Sequence, residues 1–127
     1  MDVATLARSQ TVNRVALGAG LIALPRLFGR IWSGREADDA RAQVLSRALG
    51  VRDLALGVGG LLALRDGDRR WASRAFAAQA AADAVDLVAI LVAGRALGRP
   101  TRALAGTMAA GSAGVAAAYA WRLRGES

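Results

Sequence analysis

The chain contains no cysteine and no histidine, and each absence removes a body of chemistry. Without cysteine there is no disulfide, no thiol nucleophile and no thiolate metal ligand. Without histidine the commonest general base near neutral pH is missing, and the loss of both residue types removes the usual ligands of transition metals. No catalytic residue, metal site or cofactor is therefore expected, and an enzymatic role is not expected either. Lysine is absent too: all 17 positive charges are arginine, a usage that fits GC-rich coding better than a chemical need. Acidic residues number 10, which leaves a formal net charge of +7.

What is present is apolar. Hydrophobic residues make up 54% of the 127 positions and there are 15 glycines, richer than an ordinary soluble domain of this size. Lipid is the expected solvent. The mean hydropathy of +0.31 understates this, because most arginines gather between the apolar runs. They do not form one stripe interleaved with aromatics, and no nucleic-acid-binding module is recognisable, so anionic lipid headgroups and not nucleic acid are the expected partner of the positive charge.

The spacing predicts a single all-α membrane domain over residues 1–127, with long helices at about 5–24, 37–64, 71–97 and 101–122. The first apolar run, Val15 to Leu24, follows Arg8 and Arg14 and has the length and flank of a signal-peptide centre. No small-x-small cleavage site follows it, so a retained helix is expected, ended or kinked by Pro25. From Leu27 to Trp32 the apolar Leu27, Phe28, Ile31 and Trp32 share a face opposite Arg26 and Arg30, the pattern of a short interfacial helix anchored by Trp32. Ser33 and Glu36 have capping-box spacing for the next helix. RDGDRR at 65–70 breaks the chain most clearly, since Asp66-Gly67 is a strong turn dipeptide. Pro100 fits the first turn of the last helix.

Topology follows from the arginines in the loops. One side would hold Arg8, Arg14, Arg65, Arg69, Arg70, Arg74, Arg122 and Arg124; the other Arg26, Arg30, Arg35, Arg41, Arg95, Arg99 and Arg102. The excess of one points to both termini in the cytoplasm, for a multi-pass protein of the inner (plasma) membrane.

Two stripes of small residues are candidate helix-packing faces, because small side chains let backbones approach where lipid supplies no drive between helices. They are Ala55, Gly59 and Ala63 in the second long helix, and Gly106, Ala110, Gly114 and Ala118 in the last. General abundance of alanine and glycine accounts for them equally well. Tyr119 and Trp121, near the end of the last helix, could line a site, but aromatic residues at a helix end more often serve as interface anchors, and Trp71 reads the same way.

The most informative feature is a set of charges at mirrored distances from the hairpin. Arg52 lies 15 residues before Gly67 and Asp83 lies 16 after it; Arg47 and Asp86 lie 20 before and 19 after. An antiparallel hairpin brings each pair to one depth. With Asp53, and with Gln79 on the face of Asp83 and Asp86, these residues form the candidate site. An Arg or Asp at the centre of a membrane helix costs about 2.5 to 3.5 kcal/mol, so the charges are expected to face inward and pair. A static network that holds helix register explains every one of these residues. Alternatively, three carboxylates against two guanidiniums leave an acid, Asp53 or Asp83, to take up a proton or cation. A third reading is a pocket for a polar or anionic lipid-soluble ligand such as a quinone, with Arg52 as donor.

The phrase RALGVRDLALG at 47–57, then RRW at 69–71 and ADAVD at 82–86, resembles a family of small bacterial membrane proteins with four predicted helices, common in actinobacteria and of unknown function. The likeness covers about residues 12–122, and a more distant one extends to DoxX-type four-helix membrane proteins. It implies the four-helix architecture and the importance of Arg47, Arg52, Asp53, Asp83 and Asp86, and no reaction. The expected function is a non-enzymatic structural or accessory membrane component, alone as a homo-oligomer or within a larger complex. The alternative is a small-molecule or proton-coupled carrier, or a lipid- or quinone-binding protein, that uses the central carboxylates; a soluble Ala-rich bundle is a third, separate reading.

Overall fold

The computed structural model describes residues 2–33, 35, 38–93 and 99–125. Among these the chain is all-α, with helices α1 (Val3–Ala23), α2 (Pro25–Ser33), α3 (Ala40–Asp66), α4 (Arg69–Ala93) and α5 (Arg99–Gly125). Local chemistry sets the ends. Asp2 caps α1, its carboxylate accepting the Thr5 N–H at 2.7 Å, and that hydrogen bond holds the Asp2 carboxyl below the usual range. Gly67, at φ 75°, closes α3 in the left-handed conformation that glycine adopts without a Cβ penalty. Asp68 Oδ1 then accepts the N–H groups of Arg70 and Trp71 and caps α4. Pro100 occupies the first turn of α5.

The expected capping box is not where the second long helix begins. Ser33 ends α2 and Asp39 is the N-cap of α3, so α3 starts nearly two turns later than a cap at Ser33 would place it. Glu36, the side chain of Trp32, Arg95 and the predicted helical residues 94–97 lie outside the described residues. α2 is the short helix expected after α1, with Leu27 and Ile31 exposed and the Phe28 ring turned back over Gly20.

The four long helices run up, down, up and down, but they do not pair as the hairpin suggested. α1 packs most extensively on α3, and α4 on α5, while α3 and α4 touch over a much shorter length. Glycine explains the first pair. A Cβ at Gly18 would lie 2.6 Å from the backbone nitrogen of Leu54, and one at Gly50 would lie 2.7 Å from the carbonyl oxygen of Gly18. Backbone rests on backbone there, and α1 is drawn into the groove that the hairpin partner was expected to fill. Around Gly57 the approach is nearly as close, to Val15 and the Thr11 carbonyl.

The predicted small-residue stripes lie elsewhere. Ala55, Ala110, Gly114 and Ala118 are exposed, and a Cβ at Gly59, Gly106 or Gly114 would meet nothing within 4 Å; Ala63 alone of the seven is buried. Period-four spacing selected the wrong faces because the seams repeat in steps of three and four. Gly106→Ala and Gly114→Ala should therefore leave the fold intact, and in thermal melts in mild detergent they should be neutral or stabilising by up to about 1 kcal/mol from helix propensity. A marked loss of stability at either position would show that the Gly106–Gly114 side of α5 is packed as well.

Candidate functional site

On α1 the inward residues are Ala7, Thr11, Arg14, Gly18 and Leu21, at alternating steps of four and three. On α3 they are Gly50, Asp53, Gly57, Gly60 and Ala63, and on α4 Ala72, Ser73, Phe76, Gln79 and Asp83. Steps of three and four repeat along these faces, as in helices that pack at shallow angles. The interior is layered as a result. At the end near the α3–α4 turn sits an apolar layer of Ala7, Phe76, Ala116, Tyr119 and Ala120, with the Phe76 and Tyr119 rings edge to face at 4.8 Å. Next come Thr11 and Gln79 beside Gly60, then the charged residues, then the glycine contact of α1 with α3.

Arg14 is the centre of the charged layer, and reading it as a flank of the first apolar run was wrong. α1 begins at Val3, so Arg14 stands about 16 Å along the helix axis at ~1.5 Å per residue. Its guanidinium is 6% exposed. Nη1 donates to Asp53 Oδ1 at 2.9 Å and Nη2 to both carboxylate oxygens of Asp83. The Ser112 hydroxyl of α5 donates to Asp83 Oδ2 at 2.5 Å and accepts from Arg14 Nη2 at 3.1 Å. Gln10 of α1 donates to the same hydroxyl at 2.6 Å and to the Ser112 carbonyl at 3.0 Å.

Arg52 extends the row outward. It grips Asp86 through two parallel bonds of 2.7 Å, the strong bidentate geometry. Its Nη2 also donates to Asp53 Oδ1 at 3.0 Å, the oxygen already bound by Arg14. The charges therefore alternate along one line: Asp83, Arg14, Asp53, Arg52, Asp86. Exposure grows along it, from Arg14 at 6% to about a third at Arg52 and Asp86. Every charge sits next to its opposite, and α1, α3, α4 and α5 are all joined through the row.

Of the six residues expected from sequence, Arg52, Asp53, Asp83 and Asp86 are brought together. The pairing differs by about one helical turn: Arg52 meets Asp86, because Arg14 occupies Asp83. Arg47 is displaced from the cluster, exposed on α3 with no ion pair among the described residues. Gln79 is fully buried and donates to the Leu56 carbonyl at 3.0 Å, in space that exists because Gly60 has no Cβ. Arg14, Gln10 and Ser112 were missed. The signal for Arg14 was present in the alternating spacing of Ala7, Thr11, Arg14, Gly18 and Leu21. For Ser112, one of many small residues in α5, the sequence carries no comparable signal.

The row has three carboxylates to two guanidiniums. Its acids are separated by arginines, and among the described residues no group of three His, Cys, Asp or Glu side chains is placed to hold a metal ion. Among the described residues the buried side-chain atoms Arg14 Nε, Gln79 Oε1 and Gln10 Oε1 have no hydrogen-bond partner. No family model, curated protein or solved structure matches the chain.

Among the described residues two helices, α4 and α5, are long and apolar enough to cross a membrane, with mean hydropathy of 1.7 and 1.2 over their most apolar stretches. All four long helices were expected to qualify. α1 and α3 carry Arg14, Arg52 and Asp53, whose charge lowers their hydropathy although the structure turns Arg14 and Asp53 inward.

Proposed function

We propose that the chain is a small multi-pass protein of the inner (plasma) membrane, a four-helix transmembrane bundle with α2 at the interface, whose role is structural or accessory and non-enzymatic. The observation that carries this reading is the inverted distribution of polarity. Arg14, Asp53, Asp83, Gln79, Thr11 and Ser73 are buried, while Val44, Leu45, Val51, Val85, Val88, Leu91 and Val92 are exposed. Among the described residues the large buried hydrophobic side chains are Leu21, Phe76 and Tyr119; the other buried hydrophobic residues are alanines. Water would favour the opposite arrangement, and so wide an apolar exterior is unusual for a soluble monomer. Lipid favours this one, with helices held by small residues and internal polar contacts.

In that setting the Arg/Asp row is a register lock. Sliding α1, α3 or α4 by a turn would strand a charge in a medium that cannot solvate it, and sliding α5 would take the Ser112 hydroxyl away from Asp83. The outer faces of α3, α4 and α5 remain for lipid, a second copy or a larger complex. With Arg14 inside, the arginines expected at the two ends balance at seven each, and the charge count favours neither orientation. The excess of one carboxylate, together with the unpartnered Arg14 Nε and Gln79 Oε1, favours the second reading: a carrier, or a lipid or quinone binder, that uses the central acids.

Two measurements test the proposal. Alkaline carbonate should leave the protein in the membrane pellet; its appearance in the supernatant would overturn the membrane assignment. Asp83→Asn, purified in the same detergent as the parent, should melt markedly lower between about pH 5 and 8, since it weakens the hold on buried Arg14, a loss on the order of 3 kcal/mol. Unchanged or higher stability would overturn the lock and direct attention to a proton, cation or ligand at Asp83.

A further inference from the structure

A cleft of about 280 Å³ opens where the first turn of α1, the α3–α4 turn and the last turns of α5 meet. Its walls are of two kinds. Arg69 and Arg122 are among the lining residues, and so are Leu64, Tyr119 and Leu123. Asp68 also borders it, its Oδ1 accepting the N–H groups that open α4, so the lining carries two arginines to one carboxylate. The segments that meet here carry Arg65, Arg69, Arg70, Arg74, Arg122 and Arg124 against Asp2, Asp66 and Asp68 among the described residues. Arg122 lies close enough to Asp2 to help lower its carboxyl.

The cleft also stands at a defined level of the molecule. It lies at the first residue of α4 and the last turns of α5, the two helices long and apolar enough to cross a membrane. Trp71 and Trp121, both exposed, flank the same end, the position of aromatic side chains at a lipid–water boundary. The volume is at the lower edge of the roughly 300–1,000 Å³ of sites that enclose whole ligands. A headgroup fits, and an attached chain must leave along the apolar exterior.

We propose that this cleft binds the phosphate of an acidic phospholipid, with Arg69 and Arg122 as donors to the phosphate oxygens and Leu64, Tyr119 and Leu123 against the proximal apolar part of the lipid. Guanidiniums suit phosphate oxygens because their paired N–H groups match the anion's geometry. The site is distinct from the Arg14–Asp83 row, and it rests on the membrane reading of α4 and α5.

The test is thermal stability of the full chain in mild detergent, titrated with dioleoyl phosphatidylglycerol, dioleoyl phosphatidylcholine or inorganic phosphate. Phosphatidylglycerol should raise the melting temperature of the parent, phosphatidylcholine and phosphate far less at equal concentration. Arg69→Gln and Arg122→Gln should each weaken that response about tenfold in lipid concentration, the size expected for losing a charge-assisted bond. Arg122→Lys should recover part of it, and Arg74→Gln, exposed at the same end and outside the cleft, should leave it unchanged. A parent that does not prefer phosphatidylglycerol overturns the proposal without any variant. An equal loss in Arg74→Gln also overturns it by showing diffuse surface attraction, and equal potency of inorganic phosphate overturns it by showing that the lipid chain is not recognised. Carbonate extraction reports separately on the membrane reading: protein retained in the pellet but indifferent to phosphatidylglycerol would sink this inference alone.

Discussion

Replacing Arg14 by glutamine is expected to destabilise the protein by about 3 to 5 kcal/mol, the cost of removing one partner from a buried ion pair. Arg14 serves two carboxylates at once, Asp53 and Asp83, and contacts the Ser112 hydroxyl as well. Glutamine keeps a donor and the approximate volume but loses the charge. Asp83 would then face only Ser112 and an amide, while Asp53 would retain Arg52. Reversible unfolding in mixed micelles, read by circular dichroism, measures the loss. The companion variant Arg14→Met/Asp83→Leu separates charge from shape: Arg52 still holds Asp53 and Asp86, so no buried group is left without an opposite charge. It should recover much of the stability lost in Arg14→Gln. A double variant no better than the single would show that the row matters for more than charge balance, and an Arg14→Gln protein as stable as the parent would remove Arg14 from the lock altogether.

Gly18→Ala is expected to be the most damaging glycine substitution, with Gly50→Ala close behind. Alanine is the better helix former by about 1 kcal/mol, so propensity alone predicts a gain. Packing decides the sign. The new methyl of Gly18→Ala would fall 2.6 Å from Leu54 N and 2.7 Å from the Gly50 carbonyl oxygen, both backbone atoms of α3. No side chain can rotate away, so α1 and α3 must separate along their length. Separation also lengthens the Arg14–Asp53 contact that bridges those two helices. A net loss of about 2 kcal/mol or more is expected, from overpacking of about 1 to 3 kcal/mol together with the weakened ion pair. Gly20→Ala should be milder, because the nearest atoms belong to the outer edge of the Phe28 ring. Melting curves of the three variants beside Gly114→Ala give the ranking. If Gly18→Ala proved as mild as Gly114→Ala, the close approach of α1 and α3 would be disproved.

Local features of the sequence were legible because they depend on neighbours in the chain. The Asp66-Gly67 break became a left-handed cap at Gly67, and Pro25 and Pro100 stand at the first turns of α2 and α5. Four of the six expected site residues, Arg52, Asp53, Asp83 and Asp86, share one row of ion pairs. Charge in an apolar setting marks them whatever their partners are. The exact pairing was not legible, because it rests on contacts between residues far apart in the chain. Depth matching along the α3–α4 hairpin left α1 out, and so Arg47 stood in for Arg14. Glycines contributed to the same error: Gly59, Gly106 and Gly114 look like Gly18, Gly50 and Gly57 in sequence, and only a neighbouring backbone makes the second set essential.

The sequence by itself determined an all-α chain, the break at Asp66-Gly67, and the presence of more carboxylates and guanidiniums than an apolar interior tolerates unpaired. These follow from local propensity and from the cost of burying charge, and neither depends on which helix lies beside which. Only the tertiary structure decided that α1 pairs with α3, that Arg14 holds Asp53 to Asp83, and that Ser112 completes the contact from α5. The physical reason is that none of the four long helices has one apolar and one polar side, so amphipathicity does not select the inward face; close backbone contact at Gly18, Gly50 and Gly57 selects it, and the charges pair with whatever that contact brings within reach.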